Sequence, residues 1–247
     1  MLHSTRGIVF HSLKYSESSL IVKIYTGLFG LQSYLFKGIR NPKSRIKPGL
    51  FQALTMLDLV VYHKERHSLQ SVKEVRLAYP YQTIPYDIRK SSVTLFMNEL
   101  LYKSIREEEA NPPLFQFLWD TCMQLDTTEK NVSLFHICFA MQLMQYLGIF
   151  PQDNYSELCP VFNMRDGIFQ SSIPGHPHYL DPEKSKLFHS WLSEFGQQNP
   201  DRVQNFEPCQ KSIVREWLLE TILIYYQLHL PGFRGLQSHH ILHTVLS

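Results

Sequence analysis

The segment KGIRNPKSRIK at residues 37–47 separates two strand-like apolar runs, 31–36 and 54–62. Gly38, Asn41 and Pro42 oppose a regular helix or strand within it, so the segment predicts a loop between two strands. It contains no acidic residue, and its cations are Lys37, Arg40, Lys43, Arg45 and Lys47. Such a loop can present ammonium and guanidinium groups to phosphates. A solvated loop whose charges only keep the protein soluble is the alternative.

Around this loop, residues 5–78 contain five runs rich in β-branched, aliphatic and aromatic residues. The runs are 7–13, 19–26, 31–37, 54–63 and 69–78, with turn signals between them. In the second run Leu20, Val22 and Ile24 share one face, which is the period of a half-buried strand. Five short strands in about 75 residues predict a small closed barrel of the oligonucleotide-binding (OB) type.

Three aromatic residues, Tyr25, Tyr34 and Phe36, lie on strands next to the basic loop. An exposed ring could stack on a nucleic-acid base, a contact that contributes about 1–3 kcal/mol. Filling the barrel interior is the more common use of such residues. Tyr34 and Phe36 are therefore candidate base-stacking residues, with core packing as the alternative.

From residue 80 onward the apolar period changes to that of helices. Helical stripes and caps predict helices at about 87–108, after Pro112, at 132–147, 181–191, 207–228 and 236–246. Residues 151–180, rich in proline, form an irregular insertion that must pack on something or be held by something. We therefore predict an α+β protein with an OB-fold nucleic-acid-binding domain at 1–79 and a helical domain at 80–247.

The charge of the 247-residue chain is divided between these two parts. Residues 1–80 contain 12 Lys and Arg against 4 Asp and Glu, a net charge of +8. Residues 81–247 contain 12 against 18, a net charge of −6. This division indicates that the amino-terminal part faces a polyanion, although a basic domain can also dock on its own acidic neighbour.

The composition and motifs favour a globular protein of the cytoplasm without a catalytic centre. No apolar run approaches the roughly 18 residues of a spanning helix, and the amino terminus lacks the pattern of a signal peptide. The cysteines, Cys122, Cys138, Cys159 and Cys209, are scattered and are typical of reduced thiols. No GxSxG, HExxH or P-loop sequence is present, and nothing specific supports an enzyme.

The metal candidates are Cys159, His176 and His178 in the irregular insertion. A structural zinc site needs four nitrogen or sulfur ligands, usually in closely spaced pairs. Here a single cysteine precedes a His-x-His pair by 17 residues. The ligand set is incomplete, and we predict no metal.

The chain resembles the RecO family of bacterial recombination mediators in an ordered series of short motifs that covers nearly its whole length. The motifs are TRGIV at 5–9, YSESSL at 15–20, FG at 29–30, KGIR at 37–40, KSR at 43–45, YLGIFP at 146–151, YQLHL at 226–230 and RGLQS at 234–238. Each motif alone is weakly specific, whereas the ordered set is fairly specific.

The resemblance implies an OB fold joined to a helical domain, in a cytoplasmic, nucleoid-associated protein without enzymatic turnover. It further implies binding of single- and double-stranded DNA, annealing of strands, and action with RecR and single-stranded-DNA-binding protein to load RecA at gaps, in the RecF pathway. Of the zinc motif that the family often has, only Cys159 is present. Phe162 stands where a second cysteine would fall, and the later pair is replaced around residues 175–179. No cofactor is therefore expected.

We predict that the five loop cations neutralise DNA phosphates. Three further cations, Arg6, Lys14 and Lys23, extend this predicted track. A rival function is a protein-interaction adaptor whose basic face docks an acidic partner, with DNA contact only indirect. Arg215 and Arg234 are its candidate partner-binding residues, for example for the acidic tail of a single-stranded-DNA-binding protein. An RNA-binding OB protein is a third possibility, which needs exposed aromatics and recognition of the 2′-OH.

Overall fold

The computed structural model describes residues 1–39, 46–64, 67–195 and 212–246. Its backbone forms two compact units, Met1–Thr128 and Glu129–Ser247. The first contains a barrel and two helices, and the second contains helices and a small sheet. The predicted α+β class, with a barrel followed by helices, is confirmed. The first compact unit continues past the barrel to Thr128, whereas the sequence-based domain boundary at 79/80 stays a prediction.

Five strands form the closed barrel of the first unit. They are β1 (Leu2–Lys14), β2 (Leu20–Thr26), β3 (Gly30–Phe36), β4 (Met56–Tyr62) and β5 (Leu69–Tyr79). The order around the barrel is β1-β2-β3-β5-β4, and β4 closes it by pairing with β1. The β3–β5 pair is parallel and the other pairs are antiparallel. The predicted OB-type barrel is therefore confirmed.

The barrel interior is filled by apolar side chains from all five strands. Tyr34 and Phe36 belong to this core, with only 0% and 4% of their surfaces exposed. Neither ring is presented to a nucleic-acid base, and the base-stacking assignment for these two residues is wrong. The physical reason is the alternation of β3, which turns every second side chain inward into a barrel that needs bulky residues. Core packing, the alternative from the sequence, is correct.

Tyr25 is also buried, but on the outer side of the barrel. Its ring stacks on Phe10 at 5.6 Å between centroids and lies 6.3 Å from the ring of Phe115. Phe115 belongs to the second of the two helices of this unit, α1 (Ile88–Ser104) and α2 (Pro112–Thr127). The helix thus covers this part of the barrel surface and removes its aromatic side chains from solvent.

Asp126, near the end of α2, fixes the connection between the barrel and α1. Its carboxylate accepts hydrogen bonds from the backbone N–H groups of Gln82, Thr83 and Ile84 at 2.8, 2.8 and 3.0 Å. Lys90 of α1 donates to the backbone carbonyl of Asp126 at 2.7 Å. Burial of the Asp126 carboxyl raises its pKa, but these backbone donors outweigh burial and leave the pKa below its ordinary value. The connector is thereby tied to both helices of the unit.

The segment after α1 lies against the start of β3. The N–H of Leu31 donates to the carbonyl of Glu107 at 3.1 Å, and Gln32 Nε2 donates to the carbonyl of Glu108 at 3.3 Å. Gly30 has φ of +61°, and a Cβ there would lie 2.2 Å from the carbonyl oxygen of Glu109. Only glycine allows this close approach, which places the last turn of α1 beside the outer face of β2 and β3.

The second unit contains four described helices and a three-stranded sheet. They are α3 (Val132–Tyr146), α4 (Pro182–Phe195), α5 (Ser212–His229), α6 (Ser238–Leu246), β6 (Val161–Asn163), β7 (Ile168–Gln170) and β8 (Tyr179–Leu180). The sheet order is β7-β6-β8. The insertion predicted to be irregular thus contains a small sheet. The beginning of the helix predicted from about residue 207 lies outside the described residues.

Phe162 is the centre of an aromatic cluster in this unit. Its ring lies 4.9 Å from Phe169, 4.8 Å from Phe188 and 6.1 Å from Tyr225, measured between centroids. Phe162 and Phe188 are fully buried. At the position where the family resemblance places a zinc-binding cysteine, this chain therefore has a core residue that packs the insertion against α4 and α5.

Candidate nucleic-acid interface

The basic loop begins and ends on side chains that are anchored in the barrel. Ile39 is buried in the barrel core and Ile46 packs against the same cluster. Lys37 and Lys47, just outside these two anchors, are exposed. Arg40, Lys43 and Arg45 lie outside the described residues, so their role in binding DNA stays a prediction. The described residues at the start of the loop follow directly from the end of β3.

Lys14 lies at the same end of the barrel as Lys37. Lys14 is paired with Leu20 across β1 and β2, and Leu20 is paired with Phe36 across β2 and β3. Lys37 follows Phe36 directly. Because neighbouring strands are about 4.8 Å apart, Lys14 and Lys37 lie roughly two strand spacings apart. Both lysines are exposed, and the register therefore brings these two predicted DNA-binding residues together.

Lys23 lies further along the outer face of β2. The register aligns it with His11 on β1 and Ser33 on β3. Its Nζ is 5.3 Å from the ring centroid of Tyr102, and that ring is 4.9 Å from the ring of His11. Burial, and then the charge of Lys23, lower the pKa of His11 below its ordinary value. The Lys23 ammonium is thus held by an aromatic ring that α1 supplies.

A cavity of about 340 Å³ lies between this face and the end of α1. Its lining residues are Lys23, Leu31, Ser33, Tyr102, Lys103, Ile105, Arg106 and Glu108. Lys103 also forms an ion pair with Glu99 at 2.7 Å. Tyr102, Lys103 and Arg106 were not predicted as site residues, because only the packing of α1 against the barrel brings them next to Lys23. No local sequence signal marks this proximity.

Arg6 lies on a different face, formed by β1, β4 and β5. The strand register aligns Arg6 with Asp58 and Asp58 with Arg76. Arg6 Nε is 3.9 Å from Asp58 Oδ1, and the Arg6 guanidinium lies 5.1 Å from the centroid of the Trp119 ring. On β5, Nη2 of Arg76 is 3.7 Å from Oε2 of Glu74. Charges of both signs alternate on this face, and DNA binding by Arg6 stays a prediction.

Arg215 and Arg234, the candidate partner-binding residues, line one cavity of about 580 Å³ in the second unit. The cavity lies among α3, α5 and α6, and its apolar lining includes Leu219, Leu223 and Leu236. Among the residues that the structure describes, Nε of Arg215 is buried without a hydrogen-bond acceptor. A buried guanidinium N–H without an acceptor lowers the stability of the fold, and an anionic ligand could supply the missing acceptor.

His136 on α3 also lines this cavity, and its side chain is buried. Burial, and then the charge of Arg215, lower the pKa of His136 to about 3. The imidazole is therefore neutral at pH 7. Arg215 and Arg234 are then the fixed positive charges of the cavity, beside the carboxylates of Glu216 and Glu220.

In the described ranges, no group of three or more His, Cys, Asp or Glu side chains is placed to hold a metal ion. Cys122 and Cys138 are buried free thiols, and burial raises the pKa of each to about 12. The absence of zinc stays a prediction. In the described part of the chain no helix is both long enough and apolar enough to cross a membrane.

The strand order and the closure of the barrel define the chain as a protein with an OB-type barrel, and lysines lie along and beside its strands β2 and β3. The chain belongs to the recombination protein O (RecO) family, whose members are DNA repair proteins. The family model "Recombination protein O N terminal" matches residues 1–81, and "Recombination protein O C terminal" matches residues 85–160.

Full-length relatives support this membership. The DNA repair protein RecO of Phocaeicola vulgatus is 36% identical over 248 residues, with 100% of both chains covered. The DNA repair protein RecO of Christiangramia forsetii is 36% identical, with 99% of both chains covered. The DNA repair protein RecO of Porphyromonas gingivalis is 28% identical, again with 99% of both chains covered.

Proposed function

We propose that the protein is a non-enzymatic mediator of DNA repair and recombination that binds single- and double-stranded DNA through its barrel and anneals complementary strands. One observation carries the proposal: Lys23 on β2 and Lys37 just after β3 lie on the β2–β3 side of an OB-type barrel, and Lys14 at the end of β1 lies at the same end of the barrel as Lys37, where the basic loop begins. This is the side on which OB barrels bind oligonucleotides. Membership of the RecO family supports the same function.

The cations act on DNA through its backbone. Each lysine or arginine that neutralises a phosphate releases condensed counterions, so binding weakens as salt rises. Contacts to phosphates fix the position of a strand but do not read its bases. Because Tyr34 and Phe36 are buried, the barrel holds the strand without stacking on these two rings. Base edges then remain available to a complementary strand, which is the condition for annealing.

The cellular setting that we propose follows from the family resemblance. The protein acts with RecR and with single-stranded-DNA-binding protein to help load RecA at gaps, as part of the RecF pathway. It acts on chromosomal DNA in the cytoplasm of a bacterium. A DNA strand that is held by its phosphates, with its bases exposed, is a suitable substrate for the loading of RecA.

The test is fluorescence anisotropy of a labelled single-stranded oligonucleotide over a series of salt concentrations. The variant neutralises Lys37, Arg40, Lys43 and Arg45 with glutamine. Loss of four phosphate contacts lowers the affinity by about 100-fold or more at 0.1 M salt and reduces the log–log salt slope by about 2–3 units. The matched control neutralises the same number of cations in the second unit, Lys130, Arg165, Lys184 and Lys186.

We expect the control variant to bind as the wild type does. Equal weakening of both variants would show that binding depends on net charge alone and would contradict the proposed site. Absence of binding by the wild type at low salt would contradict the proposed function itself. Oligoribonucleotides of matched sequence separate the DNA-binding proposal from an RNA-binding one, which predicts tighter binding to RNA.

A second candidate function, docking of an acidic peptide, is favoured by the cavity that contains Arg215 and Arg234. Two guanidinium groups and several leucines line it together, and Nε of Arg215 lacks an acceptor in the described structure. This combination suits a peptide that has both a carboxylate and an apolar side chain. The acidic tail of a single-stranded-DNA-binding protein is the ligand that we propose.

This candidate is tested by titrating a fluorescent peptide from that acidic tail against the full-length protein. Arg215→Gln and Arg234→Gln are each expected to weaken peptide binding at least fivefold, because a charge-assisted hydrogen bond is lost. Lys186→Gln, on the exposed surface of α4, serves as the control of equal charge change. Unchanged peptide affinity in both arginine variants would exclude the cavity as the docking site.

A further inference from the structure

We propose that the cavity between the outer face of β2–β3 and the last turn of α1 is a phosphate-binding subsite for a single DNA strand. Lys23, Arg106 and Ser33 are its phosphate-binding residues, and Tyr102 is a positioning residue for Lys23. The inference rests on the proposed DNA-binding function and extends the interface from the basic loop to a helix.

The first argument is the charge of the cavity. Lys23, Lys103 and Arg106 contribute three cationic groups to a lining that contains one carboxylate, Glu108. Lys103 also forms an ion pair with Glu99 at 2.7 Å. We assign Lys23 and Arg106 to the phosphate because they line the cavity from two elements, β2 and the segment after α1. Ser33, which is aligned with Lys23 across β2 and β3, also lines the cavity, and its hydroxyl can donate a hydrogen bond to a phosphate oxygen.

The second argument is the size of the cavity and its place on the barrel. A volume of about 340 Å³ is at the lower end of ligand sites, which suits one nucleotide better than a folded partner. Ser33 is four residues before Lys37 along the same edge of the barrel, which is roughly 13 Å of extended strand. A single strand that contacts Lys37 can therefore continue along β2–β3 into the cavity.

The cavity is held in place by a ring contact and by hydrogen bonds to β3. Tyr102 contacts both Lys23 and His11, and its ring holds the Lys23 ammonium 5.3 Å from its centroid. The segment after α1 is hydrogen bonded to β3 through Leu31 and Gln32. Lys23 is therefore partly ordered before DNA arrives, which lowers the entropy lost on binding.

The experiment measures anisotropy of labelled single-stranded and duplex oligonucleotides with the full-length protein and five variants. The variants are Lys23→Gln, Arg106→Gln, Tyr102→Phe, Tyr102→Ala and the double variant Lys23→Gln/Tyr102→Ala. The control is Arg76→Gln, which removes one exposed cation from the β1–β4–β5 face. Far-UV circular dichroism checks that each variant is folded.

We expect Lys23→Gln and Arg106→Gln each to weaken single-strand binding by about three- to tenfold at 0.1 M salt and to lower the salt slope by about 0.7 units. Arg76→Gln binds as the wild type does. Tyr102→Phe keeps the ring and binds normally, whereas Tyr102→Ala weakens binding as much as Lys23→Gln does. The double variant binds no more weakly than Lys23→Gln alone, because Tyr102 acts through Lys23.

Normal single-strand binding by both Lys23→Gln and Arg106→Gln, together with weak binding by the variant of the basic loop, would overturn the subsite and leave the proposed function intact. Equal weakening on duplex and single strand would overturn the assignment to a single strand. Absence of DNA binding by the wild type would overturn both proposals. An additive double variant would overturn the positioning role of Tyr102.

Discussion

Two faces of one barrel carry cations that look alike in the sequence but have different neighbours in the structure. On the β2–β3 face, Lys23 lies beside Ser33 and the ring of Tyr102, and its cavity also contains Arg106. On the β1–β4–β5 face, Arg6 is aligned with Asp58, and Arg76 lies beside Glu74. The first face gathers positive charge, whereas the second alternates the two signs.

We infer from this difference that strand register, more than the number of basic residues, determines which face of the barrel suits a polyanion. An exposed ion pair contributes only about 0–1 kcal/mol to stability, but its carboxylate repels an approaching phosphate. Lys23 has neutral neighbours across both adjacent strand pairs, His11 and Ser33. The imidazole of His11 is kept neutral at pH 7 because burial and the nearby ammonium lower its pKa.

The largest effect is expected from a change that disrupts the packing of the segment after α1 against the start of β3. Gly30→Ala places a methyl group against the carbonyl of Glu109, in a backbone conformation that alanine adopts only with strain. We expect the free energy of unfolding to fall by about 2–4 kcal/mol. Urea unfolding of the full-length chain, followed by circular dichroism, measures this change.

Gly49→Ala is the matched control for this prediction. A Cβ at Gly49 meets no atom within 4 Å. The free energy of unfolding is therefore expected to change by no more than about 0.5 kcal/mol. If Gly30→Ala and Gly49→Ala have the same free energy of unfolding, the segment after α1 does not pack closely against Gly30 at the start of β3.

The next effect concerns the connection that positions α1 beside this face. Asp126→Asn replaces a carboxylate that accepts three backbone N–H groups, and we expect a loss of about 2–3 kcal/mol of stability at pH 7. Because the folded-state pKa of Asp126 is lowered, its stabilisation is complete above the ordinary value of 3.8 and is lost as the pH falls below it.

The difference in stability between wild type and Asp126→Asn should therefore shrink as the pH is lowered from 5 towards 2. Urea unfolding at a series of pH values measures it. Asp120→Asn, an exposed position on the same helix, is the control and should show little difference at any pH. A penalty for Asp126→Asn that grows in acid would contradict the proposed role of the ionised carboxylate.

A smaller effect, on DNA affinity, compares the two faces directly. Lys23→Glu reverses a charge on the β2–β3 face and should weaken single-strand binding by about 20- to 30-fold at 0.1 M salt. Arg76→Glu makes the same change on the other face and should weaken binding by less than about threefold. Anisotropy titrations in one buffer measure both. Equal losses would remove the distinction between the faces.

The smallest effect should come from removing a negative charge from the β1–β4–β5 face, which makes its charge more like that of the β2–β3 face. Asp58→Asn removes the carboxylate beside Arg6, so this guanidinium can attract phosphate. We expect DNA affinity to rise by about twofold in low salt and to return to the wild-type value in high salt. Glu157→Gln, an exposed change of equal charge in the second unit, should leave affinity unaltered. A fall in affinity on Asp58→Asn would contradict this account.

Much of the fold can be read from the sequence, because local patterns determine it. The alternation of Leu20, Val22 and Ile24 predicts β2, and turn residues separate the five strands of the barrel. Whether Tyr34 and Phe36 face inward could not be predicted, since both faces of β3 carry apolar residues and only barrel closure determines which face is the core. The burial of Phe162 likewise depends on α4 and α5, which follow it in the chain.

The candidate site was predictable only in part. Lys37 could be proposed because it belongs to the basic loop, and Lys14 and Lys23 because they lie on strands of the predicted barrel. Arg106 and Tyr102 could not, since the packing of α1 brings together residues about 80 positions apart in the chain. The pairing of Arg6 with Asp58 depends on the register of β1 and β4, which the sequence does not reveal.

The measurement that tests the central claim most directly compares two matched double variants over a salt series with single-stranded DNA. Lys23→Gln/Lys37→Gln removes two cations from the β2–β3 side, and Lys73→Gln/Arg76→Gln removes two exposed cations from β5. The account predicts that the salt slope falls by about 1.4 units in the first variant and stays at the wild-type value in the second. Equal slopes in the two variants, or a larger decrease in the second, would contradict it.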